Sequence, residues 1–302
     1  MERIPDHIVC AYLYVITKHG YPPPAEQTFE HLEEIRNLGF RSIELEGIRE
    51  QHLLEVYELR HRIKDKLREL DLLVPFFCIV LPELSSVDAI TRSRNLELYE
   101  KGCEIARDFG AIGVIDNGPL PPYQFPEEIP VVRHYEEETL KDAFLPPGLE
   151  WEFYWEDLID TLQQVCDIAG NYGLTHHLHP ALGVIGATID GFLNLARAID
   201  RPNFRFNFDT ANLHVAKENL NLSIVRSNLF VDYIHISDNR GFRNEHLAIG
   251  NGNIRWSSFS NTLTQLGFKG HIGIDIGGEE SLVDDLDQAY IDAAQWLKRF
   301  PI

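Results

Sequence analysis

Along the 302-residue chain, short apolar or alternating runs of five to seven residues are followed by stretches whose apolar positions recur every three or four residues. The short runs read as strands: Ile8 to Tyr14, Ser42 to Glu46, Val74 to Val80, Ile112 to Asp116, Leu174 to His179, Phe204 to Asp209, Tyr233 to Ser237 and Ile272 to Ile276. Most are rich in β-branched or aromatic residues. The periodic stretches read as helices, marked in turn by Phe29/Leu32/Ile35, Val56/Leu59/Ile63, Leu96/Tyr99/Cys103, Leu158/Leu162/Val165, Phe192/Leu195/Ile199, Leu222/Val225/Leu229, Phe259/Leu263/Leu266 and Leu286/Ala289/Ala293. Gly39, Gly110, Gly173 and Gly267 fall where a left-handed helix stop is expected before the next strand. Eight strand–helix units in this length predict an α/β fold, a single closed (β/α)8 barrel spanning residues 1–302. An open doubly wound sheet is the competing arrangement. It calls for a glycine-rich phosphate turn after the first strand, and Thr17-Lys18-His19-Gly20-Tyr21-Pro22 is not one.

One connection breaks the rhythm. Residues 118–155 hold seven prolines and follow the fourth strand, so they are expected to rise over the C-terminal face of the barrel as an inserted loop. Tyr123, Phe125, Trp151, Phe153, Tyr154 and Trp155 offer apolar walls there. A lid, a subunit contact and a plain surface excursion are all compatible with this composition.

Charge narrows the partners. With 47 acidic against 27 basic residues the formal net charge is −20. Such a field repels nucleic acid and anionic membrane and attracts cations. Cys10, Cys78, Cys103 and Cys166 are scattered without a C-x-x-C pair, which speaks against a zinc ribbon or disulfide framework and suits a reducing cytoplasm. The first residues lack a signal-peptide core, and no run is long and apolar enough to suggest a membrane span. A small-molecule substrate is therefore expected, and a homo-oligomer stays open.

In a barrel of this type functional groups sit at the C-terminal strand ends. Strand five ends His176-His177-Leu178-His179. If His179 points into the barrel mouth, alternation points His177 the same way one layer deeper and His176 outward. Asp209 ends a largely apolar strand six, where a carboxylate needs a cation, donors or a helix to cap. His235 on strand seven and Asp275 between isoleucines on strand eight complete a set of two imidazoles and two carboxylates on four consecutive strands. Such a set matches one divalent metal ion (Mn, Zn, Co or Mg).

The segments Leu38 to Leu45, Asp209-Thr210-Ala211-Asn212, Ile234-His235-Ile236-Ser237-Asp238 and, most specifically, His246-Leu247-Ala248-Ile249-Gly250-Asn251-Gly252-Asn253-Ile254-Arg255-Trp256 resemble the xylose isomerase-like TIM barrel superfamily, in particular its sugar phosphate isomerase/epimerase group. The resemblance covers most of the chain, best from Asp157 to Glu279. It implies metal ligands at His179, Asp209, His235 and Asp275. Two of these depart from the group's usual Glu-Asp-His-Glu order: His179 and Asp275 stand where glutamates are usual. The His179-Pro180-Ala181 stretch partly resembles the inosose dehydratase branch. Without the two-glutamate proton shuttle, Asp275, His177 and His246 become the candidate catalytic groups. Glu44, Asn212, Arg240 and His246 become candidate substrate contacts. DNA repair endonucleases of the superfamily fit poorly, since they need several metals and a surface that accepts DNA. The expected activity is a metal-dependent isomerase, epimerase or dehydratase acting on a small keto-sugar, polyol or related carbonyl compound. A metal-dependent lyase or hydrolase on a larger natural product, and a non-catalytic binding barrel, are the alternatives.

Overall fold

Each of the eight expected strands forms, and parallel pairing closes them into one barrel in sequence order, β1 through β8. The structure is a computed structural model that describes residues 3–126 and 135–299. The strands are β1 (Ile8–Cys10), β2 (Ser42–Ile48), β3 (Leu73–Val80), β4 (Gly113–Asp116), β5 (Thr175–Leu178), β6 (Phe204–Asp209), β7 (Tyr233–Ile236) and β8 (His271–Ile274). Closure runs through Ile8↔Ile272, Val9↔Gly273 and Cys10↔Ile274. An unbroken ring leaves no edge strand with unpaired backbone groups.

Among the described residues eleven α-helices surround the ring: α1 (Leu13–His19), α2 (Thr28–Asn37), α3 (Arg49–Glu69), α4 (Ala89–Phe109), α5 (Glu137–Lys141), α6 (Trp151–Asn171), α7 (Ile189–Ile199), α8 (Thr210–Val215), α9 (Leu220–Ser227), α10 (Trp256–Leu266) and α11 (Leu286–Leu297). All eight periodic stretches are helical. The stops at Gly110 and Gly267 take left-handed backbone, with φ of 81° and 66°, where a side chain would be strained.

Three local expectations need correction. The first strand stops at Cys10, and Leu13 and Tyr14 begin α1 instead. Every residue from Ile8 to Val15 is buried, so the run carries no alternation to separate strand from helix. Second, the 118–155 connection is not all loop. It contains α5, an antiparallel bridge between Gln124 and Phe144, and the first turn of α6 from Trp151. Part of it, residues 127–134 with Pro130, lies outside the described residues. Third, the six aromatics named above are not among the residues that line the recesses at the barrel mouth. Tyr154 instead ties the segment down, its hydroxyl donating to the carbonyls of Ser85 at 3.0 Å and Leu120 at 3.3 Å.

Phe76, Phe77, Phe206, Phe208 and Tyr233 are fully buried, and Phe76 stacks on Tyr233 at 4.0 Å. The four cysteines are free and buried, as small core residues should be. No helix among the described residues is long and apolar enough to cross a membrane. His176 points outward from β5 into the layer between barrel and helices, where Tyr99 Oη lies 2.8 Å from its Nδ1.

Burial holds several histidines neutral. It pushes His176 down to about 3, and His31 and His52 down to about 4. A group depressed in the folded state binds its proton first in the unfolded chain, so the stability it contributes is present above about pH 6.5 and is lost as pH falls toward 4. His52 Nδ1 accepts from Ile48 N–H at 3.0 Å, a bond that an asparagine oxygen can keep. Thermal melts from pH 7 to 4 should show a steep loss of stability. His52→Asn should flatten it, removing up to about 3 kcal/mol of the pH-linked term. An unchanged slope in that variant would refute the assignment.

Candidate metal and active site at the barrel mouth

His179, Asp209, His235 and Asp275 come together at the C-terminal mouth, carried there by β5 through β8. Register does this: Asp209 pairs with His235 across β6 and β7, and His235 pairs with Gly273, two residues before Asp275. His179 Nε2 lies 4.0 Å from Asp209 Oδ2, and His235 Nδ1 lies 3.9 Å from both Asp209 Oδ2 and Asp275 Oδ2. Ligand atoms held about 2.1 Å from a common ion stand roughly 3–4 Å apart, so these separations suit one.

Each member is aimed by a neighbour. Asn207 Oδ1 lies 2.5 Å from His179 Nδ1, which puts the ring proton there and leaves Nε2 as the lone-pair nitrogen facing the cluster. Burial lowers the His179 pKa, which also favours the neutral ring. Asp209 divides its oxygens. Oδ1 accepts from Asn212 N at 2.7 Å and caps α8, while Oδ2 is buried and has no hydrogen-bond partner. The two roles weighed for Asp209, cap and ligand, therefore use different atoms. His235 directs Nε2 to Glu44 Oε2 at 3.0 Å and leaves Nδ1 buried without a partner. Burial alone would depress its pKa. The carboxylate of Glu44, then those of Asp275 and Asp209, lift it to about 9 in the metal-free protein.

Of the other candidates, Glu44 lines the mouth cavity but is engaged by its neighbours. It is 2% exposed and accepts from Tyr233 Oη and His235 Nε2, both at 3.0 Å, with Tyr12 N at 3.4 Å. It is a positioning carboxylate behind His235. His246 is brought to the cluster, its Nδ1 3.1 Å from Asp275 Oδ2 and 3.1 Å from Ser237 Oγ, with Nε2 buried and unpartnered. Its backbone bridges Gly277, so it stands fixed behind Asp275 rather than on an open loop. His179, Asp209 and His235 form one trio with metal-ligand spacing, and Asp209, His246 and Asp275 a second, the two sharing Asp209. Asn212 donates from Nδ2 to Pro180 O at 2.8 Å and to His179 Nε2 at 3.1 Å, beside the cluster.

Two candidates are not brought in. His177 lies one layer deeper, as alternation requires, with Nε2 2.5 Å from Asp232, the residue that precedes β7. That pairing turns it toward the other end of the barrel and removes it from the catalytic candidates. Arg240 pairs with Glu245 at 2.9 Å in the loop after β7, away from the residues lining the mouth.

The cavity at the mouth is lined by Glu44, Glu46, Asn117, His179, His235 and Asp275, with Cys78 and apolar side chains from β4 and α1. Glu46 and Asn117 were missed in the sequence. Glu46 carried a usable signal, because it shares the inward face of β2 with Glu44 at a spacing of two. The glycine-rich segment after β7 is structural. Asp238 accepts from Gly250 N at 2.8 Å, Ile254 N at 3.1 Å and Trp256 Nε1 at 2.9 Å, and a Cβ at Gly252 would stand 2.2 Å from its Oδ1.

A closed parallel barrel with its polar cluster at the C-terminal mouth has the arrangement of the barrel enzymes. The chain belongs to the xylose isomerase-like TIM barrel family, whose model matches residues 32–300. An uncharacterized protein of Methanocaldococcus jannaschii is 29% identical over 134 residues, which is 41% of this chain; the match spans only 46% of that relative's length. Three solved structures share the fold. D-allulose 3-epimerase from Methylomonas sp. superposes with a TM-score of 0.74 at 16% identity, covering 99% of both chains. 3-Keto-D-glucoside 4-epimerase from E. coli gives 0.71 at 16%, covering 97% of this chain and 99% of its own. A probable 3-DHS dehydratase from Bacillus anthracis gives 0.68 at 11%, covering 97% and 98%.

If Glu44 holds His235 charged in the metal-free protein, NMR titration of the His235 ring should give a midpoint well above that of an ordinary histidine. Glu44→Gln should bring it down by at least about one unit, since a neutral amide removes the charge attraction. A midpoint unmoved by that change would refute the pairing.

Proposed function

We propose that the protein is a divalent-metal-dependent enzyme that moves a proton next to the carbonyl of a small keto-sugar, polyol or related compound. One observation carries this reading. Asp209 Oδ2, His235 Nδ1 and His246 Nε2 are buried ligand-type atoms without partners, in a cluster whose carboxylates outnumber its cations. Buried polar atoms are ordinarily paired, and an ion is the partner that suits two imidazoles and two carboxylates.

His179 Nε2, Asp209 Oδ2, His235 Nδ1 and the Asp275 carboxylate would hold the ion. Bound there, it polarises carbonyl and hydroxyl oxygens of the substrate. The protein's own groups do the rest. Asn207 and Glu44 keep the two rings turned inward. The Asp275 carboxylate takes the proton, and His246 Nδ1, 3.1 Å from Oδ2, steadies it.

The placement of carboxylates refines the reaction type. Glu44, Glu46 and Asp275 come from β2 and β8, which flank β1 on one side of the barrel, while the β5 side presents His179. Removing and returning a proton on one face supports aldehyde–ketone isomerisation or elimination of water. Epimerisation needs a second acid on the opposite face, where the titratable residue lining the mouth cavity is the ligand candidate His179.

In heavy water, metal-loaded protein offered a panel of ketohexoses and inososes should place one deuterium beside the carbonyl, read by NMR. Asp275→Asn should slow this about 10²–10⁴-fold. Asp209→Asn should melt like the wild type, because Asn caps a helix about as well as Asp. The same variant should no longer retain one divalent ion per chain by elemental analysis. Full-rate turnover after chelator treatment would overturn the proposal.

A further inference from the structure

Beside the metal-type cluster, under the segment that follows β4, lies a small recess of about 50 Å³, room for a few water-sized groups at one end of a ligand. Val80 at the end of β3, Asp116 and Asn117 at the end of β4, Leu120, and Val184 after β5 line it, with Arg49 at its margin. Asn117 also lines the cavity at the mouth, so the two spaces meet at that side chain.

Asp116 is the unusual group. Its carboxyl is buried at 5% exposure, which pushes its pKa up to about 7 against the pull of the Gly118 backbone N–H it accepts. Among the described residues no cation pairs with it. Arg49, the charged neighbour in the recess, is turned to Glu83 at 3.5 Å. A buried carboxyl with one donor and remaining lone pairs is costly unless something that enters the recess supplies hydrogens. The assigned residues of the mouth make no use of it.

We propose that this recess is the subsite for the far end of the substrate, and that Asp116 selects a neutral, hydroxyl-bearing end over an anionic one. The inference rests on the metal-site reading only in placing the reacting end at the cluster. Hydroxyl groups donate to the Asp116 carboxylate, and the C–H faces of the same carbons lie on Val80, Leu120 and Val184. A phosphate or carboxylate at that end brings no donor in place of the hydroxyls and meets the ionised form of Asp116 as a like charge, so it is rejected. A compound too short to reach loses the contact.

The test is calorimetric binding to the metal-loaded protein of three probes: a hexitol, the tetritol that lacks its last two hydroxymethylene carbons, and the hexitol bearing a terminal phosphate. The wild type should bind the hexitol best and the phosphate ester at least about tenfold more weakly. Asp116→Asn keeps the shape and an acceptor for Gly118. It should weaken the hexitol about tenfold, leave the tetritol unchanged, and narrow the gap to the phosphate ester. Tighter binding of the phosphate ester by the wild type, a measurement that needs no variant to fold, would overturn the subsite. So would an Asp116→Asn protein of wild-type melting temperature that binds the hexitol unchanged. Either result leaves the metal-site reading standing. Failure of the metal-loaded protein to bind any of the three overturns the subsite, whereas failure of the protein to take up a divalent ion overturns the reading on which it rests.

Discussion

The mouth of this barrel is organised around an imbalance of charge. Glu44, Asp209 and Asp275 are all nearly inaccessible to water, and the only basic groups among them are imidazoles. Leaving carboxylates unpaired in such a place costs several kcal/mol each, so their surroundings must offset that cost. Helix α8 offsets part of it by giving Asp209 Oδ1 a backbone N–H. Tyr12, Tyr233 and His235 offset another part at Glu44, and His246 a third at Asp275. What stays uncompensated includes Asp209 Oδ2 and His235 Nδ1, which face each other at 3.9 Å.

The rest of the fold serves that arrangement. Barrel closure fixes the height of each strand end, so four residues far apart in sequence reach one level without any loop having to place them. The loop after β7 is knitted to Asp238 by three donors, one of them the indole of Trp256, and this holds His246 behind Asp275. Glycine at 252 follows from the close passage of that loop over Asp238. The motif that most resembles the family is thus a brace for the site rather than its chemistry.

Legibility differed by level. The strands and the helices that surround them could be read from periodicity, because each element buries one face and the spacing of apolar residues reports that face. The stretch from Ile8 to Val15 could not be divided, since burial on all sides erases the period. Asp209 could be seen as either cap or ligand, and both are true of different oxygens, which no residue-level pattern can resolve. Arg240 and His177 looked available because arginine and histidine are common site residues. Their partners, Glu245 and Asp232, lie five and 55 positions away, and only the second of these distances is long-range.

By itself the sequence determined the barrel, the placement of polar residues at strand ends, and four of the residues at the mouth, because alternation along a strand and chirality of the crossover leave little freedom. Tertiary structure decided which atom of each residue is free. It made Glu44 the partner of His235 and set His246 beside Asp275. It also opened a recess over Asp116 that adjoins the mouth through Asn117. These are matters of side-chain direction and of pairing across strands, and they exist only once the ring has closed.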